Sequence, residues 1–100
     1  LCVLLWAREG QAEALIAYED QVLALLADHG GSVLYRARTT GPPTQLDQPD
    51  QPDQPLEVHL IDLPSEAALE RYLADERRTA LAEQRERAVA RTEVLRVDLV

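Results

Sequence analysis

Asp47-Gln48-Pro49, Asp50-Gln51-Pro52 and Asp53-Gln54-Pro55 are one tripeptide written three times in succession. Proline has a fixed φ and no N–H, so a proline at every third position enters neither a helix nor the interior of a sheet. Residues 41–55 therefore read as a low-complexity, exposed loop of extended, polyproline-like chain. It is either a ligand lid or motif for a proline-binding partner, or a hairpin loop lengthened by slippage. The second is tolerated because loop-closure entropy grows slowly with length. On that ground, removing Thr44 to Gln54 is expected to leave folding intact. The loop divides the chain, and the two sides carry the same succession of periods: strand, helix, strand.

Before the loop, Cys2 to Ala7 is a short apolar run stopped by Arg8-Glu9-Gly10, the length of a strand buried on both faces. Gln11 to His29 places Leu15, Tyr18, Val22 and Leu25/Leu26 at helical spacing, and Gly30-Gly31 ends it. His29 then sits at the negative pole of that helix. Val33 to Thr39 alternates as a strand. After the loop, Leu56 to Leu63 alternates again, and Pro64-Ser65 breaks it, with Ser65 a good N-cap. Ala68, Leu69, Tyr72 and Leu73 form the stripe of a second helix. Asp75 starts a further helical stretch to about Val89, and Thr92 to Val100 closes as a strand.

The order β-α-β-β-α-β in 100 residues predicts one α+β domain, residues 1–100, of ferredoxin-like fold. Right-handed crossovers put both helices on one face of a four-stranded antiparallel sheet of order 4-1-3-2. A chain of this length is too small for a two-domain enzyme, a dinucleotide-binding fold or a (β/α)₈ barrel. A net charge of −8, with scattered arginines, argues against nucleic acid as a partner. No apolar run approaches the roughly 20 residues of a membrane span, so no membrane partner is expected. A single cysteine, Cys2, forms no internal disulfide. All ten basic residues are arginine, with no Lys, Phe, Met or Asn, which reads as a GC-rich coding bias rather than a functional signal. No leader opens the chain, so the cytoplasm is the default location.

Apolar content assigns the strand faces. Leu56, Val58 and Leu60 suit the helix side, as do Val33, Tyr35 and Ala37, and Leu95, Val97 and Leu99. That leaves Glu57, His59 and Ile61 on the open face, with Leu34, Arg36 and Arg38, and with Val94, Arg96, Asp98 and Val100. A sheet face that is half apolar is expected to be covered by a second copy of the chain, giving a homodimer through the sheets.

The stretch from Glu57 to Leu73, with Asp62-Leu63-Pro64-Ser65 leading from a strand into a helix that carries Tyr72 near its end, resembles the dimeric α+β barrel superfamily. It is most similar to a bacterial family known as a domain of unknown function. More distant likenesses are to antibiotic-biosynthesis monooxygenases, muconolactone-isomerase-like and EthD-like proteins. The resemblance implies two sheets packed face to face around a barrel, sometimes with a ligand cleft. Arg77, Arg78 and Thr79 stand where monooxygenase-like members often carry a histidine late in the second helix, a departure that counts against that activity.

His59 is the one histidine in a strand and the natural general base or acid. Its alternative is an interface histidine bonded within the dimer. Arg36 and Arg38 suit a carboxylate ligand in forked geometry, or else pair across the strands with Glu57. Asp62 either faces a cleft or serves the N–H groups of the following helix. Trp6 and Tyr72, with Tyr18 and Tyr35, either line a pocket for a flat molecule or are simply core. Zinc spacing, a phosphate loop and a nucleophilic serine motif are absent, so neither metal nor cofactor is expected. Arg77, Arg78, Arg85, Arg87 and Arg91 lie among Glu76, Glu83 and Glu86 and read as salt-bridged exposed faces.

Two functions remain. One is binding of a small organic molecule, or a cofactor-independent reaction, in a cleft of the barrel, with His59, Arg36, Arg38 and Glu57 as its polar wall. The other is a non-catalytic dimeric module whose open face serves self-association alone. A pocket that remains beside His59 once the dimer forms separates them, and a His59 ring turned into the helix-covered core would refute the face assignment and take from the enzyme reading its only general-base candidate.

Overall fold

The computed structural model describes residues 1–40 and 54–100. Strand β1, Cys2–Ala7, leads through Gly10 (φ 74°) into helix α1, Ala12–Leu23. The expected single helix to His29 is broken: α1 stops at Leu23, and a 3₁₀ turn, Leu26–His29, follows. Gly30 closes that turn in the left-handed region, φ 76°. Strand β2 is Ser32–Arg38 and β3 is Glu57–Asp62. Three helical pieces come next: α2 (Glu66–Leu73), α3 (Glu76–Thr79) and α4 (Ala82–Ala88). Ser65 caps α2 by accepting from the Ala68 N–H at 3.1 Å. Asp75 opens α3, its carboxylate accepting from the Arg77 N–H and from His29 Nε2, both at 2.9 Å. His29 thus meets a carboxylate across the fold as well as ending its own turn.

Strand β4 is Val89–Leu95, about three residues earlier than its alternation predicts. The partner strand explains the shift. Cys2 pairs with Leu95 at the start of β1, so almost no β1 backbone remains to bond the residues beyond. The sheet is antiparallel throughout, in the order β2-β3-β1-β4, and the fold is α+β and ferredoxin-like as expected. Residues 47–53 of the proline repeat, and most of the segment from Thr44 to Gln54, lie outside the described residues.

The face assignment is overturned. Leu5 packs with Leu15, Tyr18 and Val22 of α1, which fixes the helix side of β1. Glu57 pairs with Leu5 and His59 with Val3, so both point to the helices. Arg36 and Arg38 pair with His59 and Glu57 and follow them there. Tyr35, Ala37, Val58 and Leu60 point the other way, with Leu4 and Trp6. Thr92 and Val94 of β4 share the helix side, and Leu95 does not. A register irregularity at Leu34 puts Val33, opposite Ile61, on the helix side, while Tyr35, opposite Leu60, lies on the other face. Burial of apolar side chains usually selects the core face, but here a self-neutralising polar cluster fills part of it. A buried carboxylate is tolerable when it is paired and hydrogen-bonded.

Candidate functional site

Glu57 has no exposed surface and His59 is 1% exposed, both in the central strand β3. The Glu57 carboxylate accepts from Arg36 Nε and Nη2 at 2.9 and 3.1 Å, and from Arg38 Nε and Nη2 at 2.8 and 2.7 Å. His59 Nε2 is 2.7 Å from Glu57 Oε1. Burial alone would raise the Glu57 pKa, but its bonds from Arg36, His59 and Arg38 outweigh that, and the net shift is downward. Glu57 is therefore ionised and accepts, so His59 Nε2 carries the proton. This fixes the tautomer: Nδ1 is the lone-pair nitrogen. Burial holds the His59 pKa below its ordinary value despite Glu57, so the ring is neutral at neutral pH.

His59 Nδ1 faces Glu19 of α1, with Oε2 at 4.0 Å. Glu19 is 6% exposed, and among the described residues no hydrogen bond reaches its carboxyl. Burial, and then the charge of Glu57, push its pKa up to about 7 against the pull of Arg78, Arg36 and Arg85. A carboxylic acid and a neutral imidazole thus stand side by side.

Both line a cleft between the sheet and the helices, about 130 Å³ in volume. Its apolar walls include Val3, Leu23, Ile61, Leu69 and Val94, and Tyr72, Arg78, Arg85 and Thr92 supply polar groups. The Tyr72 hydroxyl donates to the Val22 carbonyl at 2.9 Å, which ties α2 to the end of α1. Arg78 of α3 lies 5.3 Å from the centre of the Tyr72 ring. Arg85 of α4 donates from Nη2 to Thr92 Oγ1 at 3.3 Å.

The cleft expected on the open face of the sheet thus loses His59, its only general-base candidate; of the residues expected at that site, His59 and Tyr72 line this different cleft, under the helices. Glu57, Arg36 and Arg38 stand behind His59 as its support. Arg36 also pairs with Asp20 and donates to the Ile16 carbonyl, which fastens β2 to α1. The cross-strand pairing weighed for Arg36 and Arg38 is thus present. Trp6 is on the opposite face, where Arg91 stacks over its ring at 3.8 Å. Asp62 is exposed at the end of β3, and Ser65 rather than Asp62 caps α2. Tyr18 is core, and Tyr35 is 72% exposed.

Three cleft residues escaped the sequence reading: Glu19, Arg78 and Arg85. A signal for two of them exists. Glu19 lies four residues after Leu15 and three before Val22, on the inward stripe of α1. Arg85 lies four after Leu81 and three before Ala88, on the stripe of α4. For Glu19, which is buried, core spacing marks the inward chemistry; Arg85 reaches the cleft wall while remaining exposed. Arg78 had no such signal, because the break between α3 and α4 sets its direction. Among the described residues, no group of His, Cys, Asp and Glu is placed to hold a metal ion, and no helix is long and apolar enough to cross a membrane. In comparison with known proteins, the chain matches no protein-family model and no curated protein.

Proposed function

We propose that the chain binds a small organic molecule in the cleft under its helices and moves a proton on it without a cofactor. The observation that carries this is the buried His59 ring, 2.7 Å from Glu57 on one side and facing Glu19 on the other. Nε2–H is held by Glu57, and the basic Nδ1 is turned toward Glu19 at the cleft wall. A base whose other nitrogen is anchored by a carboxylate is oriented for proton transfer. Glu19, with a pKa near 7, supplies the acid. On a carbonyl compound, His59 Nδ1 would take a proton from the carbon beside the carbonyl. The C–H electron pair shifts to the carbonyl oxygen, and Glu19 gives that oxygen its proton. With an unsaturated ketone the resulting dienol takes the His59 proton at the far carbon of its conjugated system and returns its hydroxyl proton to Glu19, which completes an isomerisation and restores both groups.

The same reading places the chain with the dimeric α+β barrel proteins, as a cytoplasmic homodimer meeting its partner through the sheet face opposite the cleft. The alternative, a non-catalytic dimeric module, draws on the low exposure of His59 and on a polar cluster complete in itself.

Deuterium wash-in followed by NMR decides between them. Wild-type protein in D₂O is incubated with a panel of 2-oxo acids, 3-oxo acids, simple ketones and enones of up to about eight heavy atoms. Exchange above the buffer rate for at least one compound, lost in His59→Gln with the fold intact by circular dichroism, is expected. No exchange with any compound, together with no change in melting temperature, would overturn the enzyme reading in favour of the module.

A further inference from the structure

Seven arginines are near or at a carboxylate or the cleft, and they divide cleanly. Arg36, Arg38, Arg77, Arg91 and Arg96 each meet a carboxylate within 4.0 Å. Arg78 and Arg85, which line the cleft, meet none within that distance among the described residues. Among the described residues, the Nε of Arg78 is buried and has no hydrogen-bond partner. A buried donor without an acceptor is uncommon in a native protein and asks for a ligand, water or ion to complete it. Arg78 is steadied by the Tyr72 ring, while Arg85 is exposed and reaches Thr92 Oγ1 at 3.3 Å.

We propose that the cleft is built for a small organic monocarboxylate, held at one end by the guanidinium groups of Arg78 and Arg85 and at the other by apolar walls beside His59. The inference rests on the reading of the cleft as a binding site and names what it takes. Arginine suits a carboxylate because its planar fork matches two oxygens. Size sets the rest of the molecule. The 130 Å³ cleft is close to the roughly 150 Å³ cavity that accepts a single benzene ring. A body of one ring, or a branched chain of similar bulk, fits between Val3, Leu23, Ile61 and Leu69.

Glu19 makes this binding pH-dependent. The groups that bear on it are Arg78 and Arg85 from α3 and α4, Arg36 from β2, and Glu57 and His59 from β3. Tyr18 adjoins it on α1, and Tyr72 faces it from α2. With Glu19 protonated, the two cleft arginines present their charge to the ligand alone. Once Glu19 ionises, it competes for them. Carboxylate affinity is therefore expected to fall as the pH rises through about 7.

Benzoate, benzamide and inorganic phosphate are the probes, with calorimetry on the wild-type protein at pH 6 and pH 8. Benzoate should bind about tenfold or more tightly than benzamide at pH 6, and more weakly at pH 8. Phosphate, which lacks the apolar body, should bind less well than benzoate. Arg78→Gln and Arg85→Gln should each weaken benzoate by about tenfold and leave benzamide unchanged. Glu19→Gln should abolish the pH dependence. Equal affinity for benzoate and benzamide in the wild type would overturn the proposal, whatever the variants do. Phosphate binding as tight as benzoate would overturn it too, by showing a bare anion site. Failure here is separable from failure of proton transfer. Exchange that is lost in His59→Gln, without any preference for carboxylates, would remove the clamp and keep the base. Benzoate binding with no exchange on any compound would do the reverse.

Discussion

Glu19 is held in the fold against its own chemistry. Its carboxyl is buried beside the charge of Glu57, and its pKa rises from 4.5 to about 7. The folded chain therefore holds this proton more tightly than the unfolded chain does. The resulting stability is fully present below pH 4.5 and is lost as the pH climbs through about 7. A gap of that size corresponds to about 3 kcal/mol of stability forgone at pH 8. Glu19→Gln is accordingly expected to raise stability at pH 8 by up to about 3 kcal/mol and to change it little at pH 4. Denaturant melts at the two pH values measure it, and equal effects at both would show that Glu19 keeps its ordinary pKa. His59 has the opposite sign. Burial lowers its pKa, so its contribution is present above the unfolded value and is lost on acidification below it. Between pH 4.5 and 6.5 the two slopes oppose each other, and above 6.5 the loss from Glu19 stands alone. A residue whose replacement stabilises is one retained for something other than folding, which is the pattern of functional sites.

Among the elements, the Ser65 hydroxyl is the cleanest local switch. It accepts from the Ala68 N–H and starts the helix that carries Leu69 and Tyr72 to the cleft. Ser65→Ala is expected to cost about 1 kcal/mol in a denaturant melt, and a smaller loss would mean that water replaces the cap. This cap, the short β1 run and the Gly30-Gly31 stop were all legible in the sequence, because each depends on residues within one turn of it. The β4 boundary was not, since it is set by where β1 begins. Nor was the split of the last helical stretch into α3 and α4. The faces of β3, of β4 and of β2 from Tyr35 on came out inverted for a physical reason, while Val33 lies on the helix side as expected. Alternation reveals that Glu57 and His59 share a face with each other and not with Val58, but it does not say which face is inward. Apolar content usually settles that. Here two arginines from the neighbouring strand neutralise Glu57, and α1 contributes Asp20 and the Ile16 carbonyl to Arg36. The pairing of Arg38 with Glu57 was foreseen as a cross-strand device, but a pairwise contact does not disclose the polar core it builds.

At the scale of the whole molecule, the inversion strengthens the case for a second copy. With the polar cluster turned inward, the opposite face collects Leu4, Val58, Leu60, Ala37, Tyr35 and Leu95, beside the exposed Arg91–Glu93 pair at its β4 edge. Tyr35 is 72% exposed and Leu95 51%. Apolar surface gathered on one sheet face is favourably removed from water, and a stable pair would bury on the order of 1,600 Å². Light scattering at micromolar concentration is expected to give twice the chain mass of 11.2 kDa. Val58→Glu, at the middle of that face, should reduce it to a single chain while circular dichroism stays unchanged, because a lone charge there is costly only when covered. A monomer mass for the wild type would remove the dimer and the barrel together. The cleft would survive either outcome. His59, Glu19, Arg78 and Arg85 lie on the helix side of the sheet, and every contact that places them comes from the same chain. The monomeric Val58→Glu variant should therefore still bind benzoate with the wild-type preference over benzamide. If that preference disappears with the partner, the second copy shapes the cleft through the sheet, and pairing and binding are one function rather than two.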